Sequence, residues 1–94
     1  MADLHVELVS AEQQVWSGGA SQLLVRTVEG DIGVLPGHEP ILAVLADGEV
    51  RIEATEGESM RVRIGGGFLS VDHDRAVVVA EDVDLEGAAG SASR

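Results

Sequence analysis

Short apolar alternations, cut by turn residues, constrain this chain more than any other feature. Leu4, Val6 and Leu8 fall on one side of an extended backbone and His5 and Glu7 on the other, the period-2 mark of a half-buried strand. Val50 and Ile52 alternate with Arg51 and Glu53, and Met60, Val62 and Ile64 alternate with Arg61 and Arg63. These two runs read as a hairpin with its turn at Thr55-Glu56-Gly57-Glu58 and with arginines set beside acids on the solvent face. Ser10 to Gln14 reads as a polar turn, Val15 to Ser17 as a short strand ended by Gly18-Gly19, and Ser21 to Val28 as a longer strand. Ile41 to Leu45 is apolar at every position, as a strand buried on both faces is, and Ala46 to Glu49 supplies the turn after it. Gly65-Gly66-Gly67 implies a close backbone approach or a bend in the sheet. Phe68 to Val71 and Arg75 to Ala80 complete the set, joined at Asp72-His73-Asp74. Strand-and-turn units recurring about every 8–12 residues, with no helical period between them, predict an all-β sandwich or barrel.

One domain is expected over residues 1–82, followed by an acidic and then Gly/Ala/Ser-rich tail, 83–94, that is expected to be disordered. With no cysteine there is neither a disulfide framework nor a thiolate metal site. Trp16 and Phe68 are the only aromatics, so aliphatic side chains must fill the core. Trp16 reads as a core residue near one end of the sheet, with an interface anchor as the alternative. Seventeen acids against six arginines and no lysine give a net charge of −11. That sign repels nucleic acid and anionic headgroups and directs the search to a protein partner with basic groups. No apolar run reaches the roughly 18 residues of a spanning helix and no signal sequence is present, so a soluble cytosolic chain is expected.

Catalytic constellations are missing from the sequence. A P-loop needs a lysine, and the triple glycine opens a strand, so it offers no helix N-terminus to a phosphate. There is no Gly-x-Ser-x-Gly elbow. His5, His38 and His73 lie in three elements without metal-ligand spacing, and Asp72-His73-Asp74 reads as an exposed turn. Neither a metal nor a cofactor is expected, and a small acidic enzyme is the least favoured reading.

The stretch Gly30-Asp31-Ile32-Gly33-Val34-Leu35-Pro36-Gly37-His38-Glu39-Pro40 stands apart. Two prolines fix φ near −65° and remove two donors, and Gly33 and Gly37 can take positive φ, so the segment is a rigid corner. His38 has two readings, a histidine capping the Pro-Gly turn through a nearby carbonyl or a contact residue on an exposed loop. For Asp31 the residues alone suggest turn chemistry with Gly30.

Three blocks, Val9-Ser10-Ala11-Glu12-Gln13-Gln14 with Trp16-Ser17-Gly18, then Glu29 to Pro40, then Gly66-Gly67-Phe68-Leu69-Ser70-Val71, resemble the epsilon subunit of F-type ATP synthase in order and spacing. The resemblance covers the chain to about Asp82. It implies a flattened β-sandwich of about ten strands and a non-catalytic rotor subunit that joins the gamma subunit to the c-ring and couples proton transport to ATP synthesis. It further implies that Asp31 faces the polar loops of the c-ring, and that Ser10, His38 and Ala43 lie on the face turned to gamma. Localisation follows as a peripheral position on the cytoplasmic face of the cell membrane, with membrane contact only through the complex. Relatives of this kind continue into a two-helix hairpin, whereas this chain ends in Gly87 to Arg94 without helical period, so neither inhibition by helix insertion nor ATP sensing carries over. The rival reading is a stand-alone β-sandwich binding module that uses the Gly30–Pro40 corner for another protein or a sugar.

Overall fold

In a computed structural model that describes residues 3–10, 12–55 and 59–84, seven strands form and no helix is present among the described residues. They are β1 (Leu4–Ser10), β2 (Gln14–Thr27), β3 (Gly30–Val34), β4 (Ile41–Ala54), β5 (Met60–Asp72), β6 (Arg75–Ala80) and β7 (Val83–Asp84). Hydrogen bonding runs in the order β1-β6-β5-β4-β2-β3, and β1 also pairs with β2, so five strands close into a barrel with β3 flanking β2. The β1–β6 pair is parallel, with Val6 beside Ala76 and Leu8 beside Val78, and the other pairs are antiparallel. Principal extents of 35 × 28 × 24 Å make it a flattened barrel.

The all-β expectation holds, but the strands number seven where about ten were expected. Val15–Ser17 and Ser21–Val28 are one strand, β2, and Ala46–Glu49 and Gly65–Gly67 lie inside β4 and β5. The two long strands keep one register, from Ile41 opposite Val71 to Ile52 opposite Met60. The apparent turn residues are bends in this ladder. In β4, Ile41, Ala43 and Leu45 face inward before the bend, and Val50 and Ile52 after it. In β5, Val62 and Ile64 face inward before the glycines, and Leu69 and Val71 after them. Each strand therefore flips its facing once, at matching levels, because a straight strand would keep a single parity along its length. β2 makes a comparable change between Ala20 and Leu23, where its pairing with β4 slips.

These flips let Leu45, Val50, Ile52, Val62, Ile64, Leu69 and Val71 all enter one core with Leu4, Val6, Leu8, Leu23, Val34 and Val78. Ile41–Leu45 is not buried on both faces: Leu42 is 77% exposed and Val44 48%. Trp16 is half-buried against the core, its ring lying over Gly18. Val83 and Asp84, read as the start of the tail, are strand β7 opposite Ile64 and Arg63. Ala11, the turn residues 56–58 and the tail from 85 to 94 lie outside the described residues.

The triple glycine works by close approach. A Cβ on Gly67 would fall on the Val79 carbonyl oxygen and 2.8 Å from Ala80 Cα, and its φ is +144°. Gly30, with φ +136°, has nothing within 4 Å of its would-be Cβ. Gly67→Ala should therefore cost about 3 kcal/mol or more, against about 1–2 kcal/mol of backbone strain for Gly30→Ala. Thermal unfolding of the two variants beside the parent checks the ranking.

Candidate functional site: two exteriors and a corner

The bend in the β4–β5 hairpin divides the outside of the molecule. On the near half, Leu42, Val44, Phe68 and Ser70 point outward; on the far half the outward positions include Asp47, Glu49, Arg51, Arg61 and Arg63. One hairpin thus carries an apolar exterior and a charged one.

The apolar exterior continues across neighbouring strands. Val44 pairs with Phe68, Phe68 with Val79, and Val79 with Val9, while Val28 donates its N–H to the Val44 carbonyl at 3.0 Å. Residues directly opposite on adjacent strands bring their Cβ atoms within about 5 Å, so the side chains form a row. Phe68 is 54% exposed and Val28 63%, and Leu42 stands one step along β4. A contiguous apolar surface of this kind on a small domain marks a place where another protein lies. At its edge a groove of about 350 Å³ is lined by Val28, Ile32, Ile41, Leu42, Ala43 and Val44, among others. Thr27 shapes this edge: its buried hydroxyl donates to the Gly30 carbonyl at 2.7 Å and accepts the Glu29 N–H at 3.0 Å, fixing the turn that presents Val28.

Ala43 lines that groove, half-buried and packed on the core, between the outward Leu42 and Val44. Ser10 lies at the end of β1, a strand that pairs with β2 and β6 and not with the β4 that carries Ala43. Its hydroxyl donates to the Gln13 carbonyl at 3.2 Å and accepts the N–H groups of Glu12 and Gln13, so it organises the polar turn read from the sequence. His38 closes the corner. Its N–H donates to the Leu35 carbonyl at 3.1 Å, and with Pro36 and Gly37 (φ +89°) between them this is a type II turn. His38 Nδ1 lies 2.7 Å from the Glu39 carbonyl oxygen, which can only accept, so Nδ1 carries the proton and Nε2 is left to accept from a partner. Thus the carbonyl-capping reading of His38 is realised, and the half-exposed ring keeps one nitrogen in hand. Among the described residues, no hydrogen bond or shared cavity brings Ser10, His38 and Ala43 together.

Asp31 belongs to the charged exterior. It stands opposite Arg26 across β2–β3, with Arg26 Nε donating to its Oδ1 at 3.1 Å, and its side chain is 72% exposed. Gly48 makes room for this pair, since a Cβ there would press on the Arg26 stem at 3.3 Å. Beside it a cleft of about 600 Å³ is walled by Leu24, Arg26, Asp31, Asp47, Arg51 and Arg63 with their neighbours. The arginines and acids read as cross-strand pairs are only partly so: Glu49 faces Arg63, but Arg51 faces Arg61, and Arg51 instead meets Glu53 along its own strand at 2.9 Å. Asp72-His73-Asp74 is the turn read from the sequence, with His73 and Asp74 both at positive φ, as a two-residue hairpin turn requires. His5 and Arg75 both approach Glu7 Oε2, at 3.4 and 3.0 Å.

Sequence reasoning missed the apolar row. Its signal was present in Ile41–Leu45 and Val77–Val79, apolar on both faces in a chain whose one core can take only one of them.

A closed β-sandwich with one apolar and one charged exterior, and a stiff corner, defines a docking subunit. Comparison with known proteins specifies which. Residues 3–86 match the family model for the ATP synthase delta/epsilon chain β-sandwich domain. The ATP synthase epsilon chain of Micrococcus luteus is 53% identical over 91 residues, 97% of this chain and 100% of that protein; the epsilon chain of Streptomyces avermitilis is 48% identical over 84 residues, 89% and 68% of the two chains. Among solved structures, a chain of the Euglena gracilis mitochondrial ATP synthase (OSCP/F1/c-ring, rotational state 1) superposes with a TM-score of 0.84 at 27% identity, over 93% of this chain and 56% of that one. A chain of the Tetrahymena thermophila mitochondrial ATP synthase central stalk/c-ring shares the fold, with a TM-score of 0.75 at 19% identity, over 86% of this chain and 65% of that one. The chain belongs to the ATP synthase epsilon-chain family, and by that membership it is a non-catalytic stalk subunit of a membrane-associated complex.

The charged exterior gives a prediction of its own. Ser59 Oγ donates to Glu53 Oε1 at 2.6 Å, and this bond, followed by the charge of Arg51, outweighs desolvation and lowers the Glu53 pKa below its ordinary 4.5. A lowered carboxyl pKa adds stability above the ordinary carboxylate range, and that contribution is lost as pH falls through the folded value. Ser59→Ala should move the Glu53 titration, followed by NMR, up toward the ordinary value.

Proposed function

We propose that this chain is the coupling piece of the central rotor: its apolar exterior docks on the gamma subunit, and its charged exterior, led by Asp31, rests on the polar loops of the c-ring. The observation that carries this reading is the row Val28, Val44, Phe68 and Val79, with Leu42 beside it, on the outside of three adjacent strands and the β2–β3 turn. Removing such a row from water favours attachment at about 25 cal/mol per Å² before the costs of association, whereas exposed ion pairs add only about 0–1 kcal/mol each. Attachment to gamma is then mainly apolar. Asp31 and its neighbours on the c-ring side set orientation and encounter rate more than affinity.

Mechanism in this setting involves no bond chemistry. Proton passage turns the c-ring, and this chain carries the turn to gamma. A closed ladder of strands resists shear because sliding one strand past its neighbour breaks every ladder bond at once. Ser10, His38 and Ala43 lie on the gamma side, with His38 Nε2 offering an acceptor at the rim, and the subunit sits on the cytoplasmic face of the membrane, held there by the complex. The epsilon-chain relatives and the OSCP/F1/c-ring assembly of the Euglena chain support this reading.

Phe68→Glu places a charge in the middle of the row without touching the core. Binding to purified gamma, measured by calorimetry, should weaken by about 2 kcal/mol or more, roughly thirtyfold, with little change in melting temperature. Undiminished binding would refute the assignment of this face. On the other side, a cysteine replacing Asp31 should cross-link to a c-ring loop in the assembled synthase, and a cysteine replacing Phe68 should not.

A further inference from the structure

The corner bearing His38 is not held by its own turn alone. In a type II turn the N–H of the third residue is left without a partner inside the turn, and here that N–H belongs to Gly37. It donates to Asp74 Oδ1 at 2.6 Å, across 37 residues of sequence. Asp74 is itself fixed: its carbonyl accepts the His5 N–H at 2.8 Å from β1, and its φ of +61° belongs to the tight β5–β6 turn. Three segments, the start of β1, the β5–β6 turn and the Pro36-Gly37-His38 corner, thus meet at one aspartate.

We propose that Asp74 is a positioning residue whose carboxylate clasps the Gly37 N–H and so sets the angle at which His38 is presented to the partner. This rests on the proposed gamma-facing role of His38. Without the clasp, the corner keeps its prolines and its internal bond but loses, among the described residues, the one side-chain hydrogen bond that ties it to the barrel. The prolines stiffen the segment; the aspartate orients it.

Two substitutions separate carboxylate from backbone. Asp74→Gly keeps the left-handed backbone at no steric cost but removes the acceptor, and Asp74→Asn tolerates the same backbone and keeps an acceptor oxygen. In Asp74→Gly the Gly37 amide should exchange about tenfold faster and gamma should dissociate severalfold faster, while Asp74→Asn stays within about twofold of the parent in both. Equal Gly37 exchange in the two variants would overturn the clasp. So would a Gly37 amide that already behaves as solvent-exposed in the parent, by the temperature dependence of its NMR shift, a measurement that needs no variant. Faster exchange with unchanged gamma dissociation would overturn the positioning role. If the parent chain itself did not hold gamma, the functional reading would fall, and the exchange comparison would still decide the clasp.

Discussion

The rest of the structure depends on one backbone constraint: the β4–β5 hairpin reverses its inward and outward faces at Ala46 and Gly66 without breaking register. A strand alternates strictly, so a 14-residue strand such as β4 would normally commit all its odd positions to one side. By switching once, the same pair of strands supplies core residues to both halves of a flattened barrel. The switch also decides what is left outside. Apolar residues remain outward before the bend and charged ones after it, so the two exteriors arise from a single geometric event.

Glycine makes that event possible on the β5 side. Gly66 and Gly67 take φ of +85° and +144°, and Gly67 lies so close to Val79 and Ala80 that a side chain has no room. The approach carries β5 against β6, which then runs parallel to β1 and helps close the barrel. Closure leaves few free edges to slip. For a part that passes torque between two larger bodies, the relevant property is this resistance to sliding, and it comes from ladder geometry more than from the small core of a 94-residue chain.

Much of this was legible in the sequence. Alternation at Leu4–Leu8, Val50–Ile52 and Met60–Ile64 located the inward sets correctly, because period-2 patterning is a direct consequence of one buried face. The Leu35–His38 turn was readable from Pro36 and Gly37. What misled was punctuation. Ala46–Glu49 and Gly65–Gly67 carry the residues of turns, and composition cannot tell a turn that reverses the chain from a bend that only rotates it. That choice is made by the partner strand, whose register is a long-range fact. The surface residues suffered likewise: Leu42 and Val44 read as buried because apolar side chains usually are, and only the closed topology shows that no second layer of the described residues covers them. The link from Asp74 to Gly37 spans two distant turns, and no local pattern announces it.

The account stands on the claim that the near half of the bent hairpin, and not the charged half, meets gamma. Hydroxyl-radical footprinting of the chain with and without gamma tests it directly, since side-chain oxidation reports which surfaces lose water. Leu42 and Phe68 should lose most of their reactivity on binding, while Met60, on the far half, keeps its own. Protection of Met60 with Leu42 and Phe68 still open to oxidation would contradict it.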